Sequence, residues 1–232
     1  MKRKVWLVLL LSCAVAIPGF LRAQDAPPNV VSLTGSRYVC IQNHPISVEK
    51  TGAYKPTSGI DSQASGFRIG GPYVLTNAHT IQSSEAYEVD GKEIPVLKDI
   101  SPKFDLMLIK LPFAKAVPWI KIADPEVGTM VYAMTNSDGN DKFLVHGFVS
   151  KVDDHYLYLQ EPTIPGASGS GLVNAKGELV GFFMQDETST GDIHVPYTEA
   201  IPASIVRRFL EQVLPVEDLV KMGITVDTVA EK

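Results

Sequence analysis

The chain has 232 residues, 45% of them hydrophobic and 20% charged, with a formal net charge of −5. Those proportions are ordinary for a globular protein with a sizeable core, and the acidic balance excludes nucleic acid or an anionic membrane as a partner.

The N-terminus comes first. Lys2, Arg3 and Lys4 are followed by an apolar run of 13 residues, Val5 to Ile17, which Pro18 and Gly19 break. At about 1.5 Å per residue such a run is too short for a hydrocarbon core of roughly 30 Å. Residues 1–23 therefore read as a removable export signal ending at Ala23, and no integral membrane span is expected in the mature chain. Leu10-Leu11-Ser12-Cys13 offers a second option, a lipoprotein box that would leave Cys13 lipidated, but the apolar Ala14 to Ile17 after it argues against this. Loss of 1–23 removes Lys2, Arg3, Lys4 and Arg22 and no acid, so the charge falls from −5 to −9. Cys40 is then the one cysteine left. It cannot form an intramolecular disulfide and reads as a buried strand residue.

Residues 24–36 are rich in Pro, Asn and Ser and lack any period, which predicts a flexible arm. From Tyr38 to about Ile201 short apolar runs alternate with Gly, Pro, Asn and Asp. They include Tyr73 to Thr76, Leu106 to Leu111, Met130 to Met134, Phe143 to Val149, Tyr156 to Leu159 and Glu178 to Met184. This spacing predicts an all-β barrel or sandwich. Only one helix is clear: Ile205, Val206, Phe209, Leu210, Val213 and Leu214 form a helical stripe that Pro215 stops. One catalytic domain, 37–214, is expected, followed by a tail at 215–232. Glu217 to Met222 could add a turn of helix capped by Gly223.

Three segments carry chemistry, in the order His79, Asp105, Ser168. His79 follows the apolar Val74-Leu75-Thr76, so a strand end presents an imidazole able to take and return a proton. Asp105 precedes Leu106-Met107-Leu108-Ile109. A lone acid at the mouth of a buried strand needs a partner, and an imidazole N–H is the natural one. Asp99, the nearest competitor, lies in a polar loop. Ser168 stands between Gly166 and Gly169, whose backbone freedom lets the N–H groups of Gly166 and Ser168 point to one spot as an oxyanion hole. Ser170 also lies between glycines but lacks a glycine two residues ahead of it with the same lead into the turn. Neither serine fits Gly-x-Ser-x-Gly, so a triad of Ser168, Asp186 and His194 is poor. No metal site is read: His-Glu-x-x-His is absent and the five histidines are scattered.

The order His, Asp, Ser is that of the chymotrypsin type. Further stretches extend the likeness: Ala64-Ser65-Gly66-Phe67, Tyr73 to His79, Asp105 to Lys110, Ile122-Ala123-Asp124, His146 to Ser150, Leu172 to Gly181 and Ala200 to Ala203. Together they resemble trypsin-like serine proteases, most of all the bacterial HtrA/Deg branch. The resemblance implies two six-stranded antiparallel β-barrels with the site in the cleft between them, a C-terminal α-helix, no cofactor, and location in the bacterial periplasm or outside the cell. Ser170 and Gly171 stand where that branch has Gly and Pro, a pairing found in other trypsin-like groups. Beyond residue 214 no counterpart of that branch's PDZ domain is expected, so peptide-triggered activation is not carried over.

For the substrate pocket the resemblance points to Thr163, Ile164 and Pro165, to Phe183, Met184 and Gln185, and to Tyr197. Pro162 replaces the acid of Arg/Lys-cleaving relatives. Phe183 replaces the His of glutamyl endopeptidases, and His194 lies on a later strand. A small-to-medium apolar residue before the scissile bond is expected. The reading is an exported serine endopeptidase acting on proteins or peptides; the alternative is a silent or latent protease-fold binding module.

Overall fold

A computed structural model describes residues 26–44, 46–48, 54–56, 62–81, 86–94, 99–137, 140–160, 165–184 and 197–225. The expected export signal at 1–23 lies outside these residues, as do Thr163, Ile164, Gln185, Asp186 and His194.

The described chain opens on a helix, α1 (Pro28–Arg37), with proline in its first turn, where the missing N–H costs nothing. This corrects the flexible arm expected at 24–36. Propensity is weak there, and long-range burial decides. Val30 and Thr34 are fully buried. Arg37 donates from Nη1 to the Arg68 carbonyl (2.7 Å) and from Nη2 to that of Pro118 (2.8 Å). Burial lowers the Arg37 guanidinium pKa from its ordinary value.

Nine strands follow: β1 (Tyr38–His44), β2 (Ile46–Val48), β3 (Tyr54–Pro56), β4 (Ser62–Gly70), β5 (Tyr73–Thr76), β6 (Ala86–Val89), β7 (Lys92–Ile94), β8 (Asp99–Ser101) and β9 (Leu106–Lys110). Seven form one sheet in the order β7-β6-β1-β4-β5-β9-β8, and β2 pairs with β3. Among the described residues this sheet runs open. Six more strands close into a barrel in the order β10-β11-β12-β15-β14-β13: β10 (Met130–Ser137), β11 (Asn140–Val152), β12 (Leu157–Leu159), β13 (Gly171–Asn174), β14 (Leu179–Phe183) and β15 (Thr198–Pro202).

The central strands of the first sheet are buried on both faces, which explains their unbroken apolar runs. In β9, Met107 and Ile109 join Val39, Ile41 and Val74 inside the first half, whereas Leu106 and Leu108 face the other way. The latter join Phe67, Leu75, Tyr132, Val173 and Phe182 in a core shared by both halves. This is the two-residue strand period serving two cores at once. A third cluster, with Val131, Val149, Leu157, Leu172 and Phe183, fills the barrel.

The segment joining the halves is bonded to each. Ile120 N–H donates to the Ile69 carbonyl (2.9 Å), Ala123 N–H to that of Leu179 (2.9 Å), and Leu179 N–H to that of Lys121 (2.8 Å). Helix α2 (Ala203–Val213) buries Val206, Phe209 and Leu210 on the shared core. The tail expected at 215–232 is, through Ile224, packed structure: α3 (Val216–Lys221) leads into buried Met222 and Ile224. Gly223, at φ 80°, closes α3. Its N–H donates to Val220 (3.0 Å) and that of Ile224 to Leu219 (3.0 Å), a paired C-terminal cap that only a left-handed residue permits.

Candidate active site

His79 lies on a single 3-10 turn, Ala78–Thr80, that follows β5. Four hydrogen bonds join residues 77–79 to Asp105. Asn77 Nδ2 and the Ala78 N–H both donate to the Asp105 carbonyl oxygen, each at 3.1 Å. The His79 N–H donates to Oδ1 at 2.9 Å, and Nδ1 meets Oδ2 at 2.7 Å. A carboxylate can only accept, so Nδ1 carries a proton; in the neutral imidazole this places the lone pair on Nε2. The two side chains are one-third and one-quarter exposed, so the carboxylate is less buried than its position before β9 suggested.

Asp105 adopts φ 51°, a left-handed conformation that Asp tolerates better than most residues. Its own N–H donates to the Pro102 carbonyl (3.3 Å), closing the turn into β9. Beside it, Phe104 sets its ring edge-on to Phe209 of α2, with centroids 6.4 Å apart. A helix that follows the barrel thereby braces the aspartate's turn.

Ser168 is half-buried in the loop that precedes β13. Gly166 (φ 93°) and Gly169 (φ 84°) supply the left-handed geometry on either side. Among the described residues, no carbonyl takes the N–H of Gly166 or of Ser168. Ser170 is different: it is fully buried, its carbonyl accepts from Phe183 N–H (3.0 Å), and its hydroxyl has no partner among the described residues.

The loop docks on the first sheet through Ser65. The Ser65 N–H donates to the Ser168 carbonyl (3.0 Å), and its Oγ to the Gly166 carbonyl (2.7 Å). Thr76 Oγ1, three residues before His79, donates to the Ser65 carbonyl (2.8 Å). The turn carrying Ser168 is thus tied to the strand that leads into His79.

The expected pocket residues are only partly brought together. Pro165 is exposed at the start of the loop. Phe183 lies inside the barrel, and Met184, half-buried, packs on the shared core. Tyr197 is half-buried with its ring edge-on to Tyr158, centroids 5.4 Å apart. Sequence reasoning missed Ser65, Thr76 and Asn77 as site-building residues. Their bonds to the site span from 11 to 101 positions, which no local pattern reports.

Residues 64–182 match the trypsin-like peptidase domain. The chain belongs to that family. Among solved structures, the trypsin-like chain superposes on the serine endoprotease from Yersinia pestis with a TM-score of 0.64 at 23% identity, covering 79% of this chain and 64% of that one. Its fold is chymotrypsin-like. Two relatives bear the name "Probable periplasmic serine endoprotease DegP-like". The one from Halomonas elongata is 26% identical over 91% of this chain and 55% of its own length. The one from Marinomonas is 31% identical over 65% of this chain and 35% of its own length. The trypsin-like chain therefore spans roughly a third to a half of these relatives.

Proposed function

We propose that the protein is an exported serine endopeptidase that hydrolyses peptide bonds through His79, Asp105 and Ser168. The observation that carries this reading is the pair of bonds by which Asp105 holds both the main chain and the ring of His79, together with a Ser168 turn in which, among the described residues, no carbonyl takes the N–H of Gly166 or of Ser168. Ser168 Oγ attacks the scissile carbonyl as His79 Nε2 takes its proton. Asp105 fixes the tautomer and stabilises the imidazolium, and the N–H groups of Gly166 and Ser168 receive the developing oxyanion. His79 then protonates the leaving amine, and water, deprotonated by His79, hydrolyses the acyl-enzyme. Every step uses side chains and backbone of this chain, with no cofactor or metal.

In this reading Thr163, Ile164, Pro165, Met184, Gln185 and Tyr197 shape the substrate pocket, Phe183 being packed inside the barrel, and a small-to-medium apolar residue precedes the scissile bond. A peptide-library digest showing cleavage mainly after Lys, Arg or Glu would overturn that preference. In this reading residues 1–23 are the export signal, tested by N-terminal sequencing of the protein recovered from the periplasm or medium.

Fluorophosphonate labelling tests the chemistry. The wild type is expected to label covalently and to digest casein, and Ser168→Ala to do neither. A folded wild type that never labels would assign the domain to binding instead of hydrolysis.

A further inference from the structure

Ser65 is fully buried, and every polar atom it owns is bonded to something that builds the site. Its N–H donates to the carbonyl of Ser168. Its carbonyl accepts from Thr76 Oγ1. Its hydroxyl donates to the carbonyl of Gly166 at 2.7 Å and accepts from the Asn136 N–H at 2.9 Å. Asn136 belongs to β10 of the barrel, Ser65 to β4 of the first sheet, and Gly166 to the loop that precedes β13. The hydroxyl therefore stands in a three-membered relay: Asn136 N–H to Ser65 Oγ, and Ser65 O–H to Gly166 O=C.

Gly166 needs such a hold. At φ 93° it has no Cβ to restrict it, and glycine is the residue with the most backbone freedom to lose. Its carbonyl direction sets ψ of Gly166 and hence the plane of the peptide linking it to Ala167. That plane fixes the angle between the Gly166 N–H on one side and the Ser168 N–H beyond. Stabilising an oxyanion requires both donors to be aimed before charge develops. With the Ser65 N–H on the Ser168 carbonyl, the turn is gripped at both ends by one residue.

We propose that Ser65 is a positioning residue for the oxyanion turn, its hydroxyl holding the Gly166 carbonyl so that the N–H groups of Gly166 and Ser168 converge. This rests on the endopeptidase reading above. Ser65 touches neither substrate nor the reacting atoms; it acts through Gly166. The Asn136 N–H orients the hydroxyl by occupying its acceptor side, leaving its single hydrogen for the glycine carbonyl.

The experiment uses the full chain and compares wild type, Ser65→Ala and Ser65→Cys. Alanine deletes the hydroxyl and adds no bulk, and cysteine keeps a weak donor of similar shape. Rates are expressed per fluorophosphonate-titrated site, so that unfolded material is not counted. For Ser65→Ala, kcat is expected to fall about tenfold or more with KM within about twofold. That is less than the roughly 10²–10³ lost when an oxyanion donor is deleted outright. Affinity for a peptidyl boronic acid, whose tetrahedral adduct places an oxygen in the hole, is expected to fall by the same factor as kcat. A purely structural role would lower the melting temperature and leave both per-site quantities unmoved. Ser65→Cys is expected to lie between the two and serves alone should the alanine variant fail to fold. An active wild type with variant kcat and boronate affinity within twofold of it would overturn the inference and leave the protease reading standing. A wild type that never labels would overturn both.

Discussion

Gly169 rests against Ser65 so closely that a Cβ on it would overlap the Ser65 carbonyl oxygen and Thr76 Oγ1. Neither neighbour can give way, because the Thr76 hydroxyl is bonded to that carbonyl. With φ at 84°, an alanine there would also be strained by its own backbone. Gly169→Ala is expected to lift the loop from the first sheet, abolish fluorophosphonate labelling and cost about 3 kcal/mol or more in urea unfolding. A variant that labels normally would remove the docking argument.

Asp105→Asn separates geometry from charge. Asparagine tolerates the left-handed φ of 51° and can still accept the His79 main-chain N–H, so the turn should survive. It presents an amide where a carboxylate holds Nδ1, which favours the wrong tautomer and cannot stabilise an imidazolium. A loss of about 10⁴ in kcat with an unchanged melting temperature is expected. Steady-state kinetics and a thermal melt check it together.

Ser170→Ala should go the other way. Among the described residues the buried hydroxyl has no partner, so its removal relieves a desolvation cost of about 1 kcal/mol without breaking one of the described bonds. Peptidase activity is expected to persist. Loss of labelling in this variant, with Ser168→Ala still labelled, would mean the nucleophile had been assigned to the wrong serine.

On the barrel surface, Asp153 accepts from Lys151 Nζ (2.9 Å) and from the N–H groups of Tyr156 and His155. These bonds, that of Lys151 first, hold its carboxyl well below the usual carboxylate range. A depressed folded pKa contributes stability above the unfolded pKa and loses it as pH falls through the folded value. The contribution should therefore persist at neutral pH and fade only in strong acid. The pair lies at the surface, with Lys151 exposed and Asp153 partly so, and water screens it, so the effect is small. Asp153→Asn is expected to lower stability in urea slightly and evenly above about pH 6, with the variant and wild-type profiles converging in strong acid.

The segments carrying His79 and Asp105 were legible because each is local. His79 follows a strand, Tyr73–Thr76, whose apolar run marks its limits, and Asp105 precedes a strand equally plain. The α2 stripe and the Gly223 cap were legible for the same reason. Helix α1 was not: Asn29, Ser32 and Gly35 are weak helix formers, and packing of α1 against β4, β10 and β13 is what buries Val30 and Thr34. The role of Ser65 was hidden for a like cause. Its stretch, Ala64 to Phe67, is recognisable, but nothing within it tells that the hydroxyl reaches a carbonyl 101 positions away.

Between the two halves, Pro112, Phe113, Lys115 and Ala116 are exposed, whereas Ile120 and Ala123 on the same segment are sewn to opposite sides. A protease that nicked the polypeptide near Phe113 would meet a molecule still held by its shared interior and by those stitches. The severed pieces should stay together under native conditions and part only in denaturant, so a sample that looks degraded on a gel can remain fully competent.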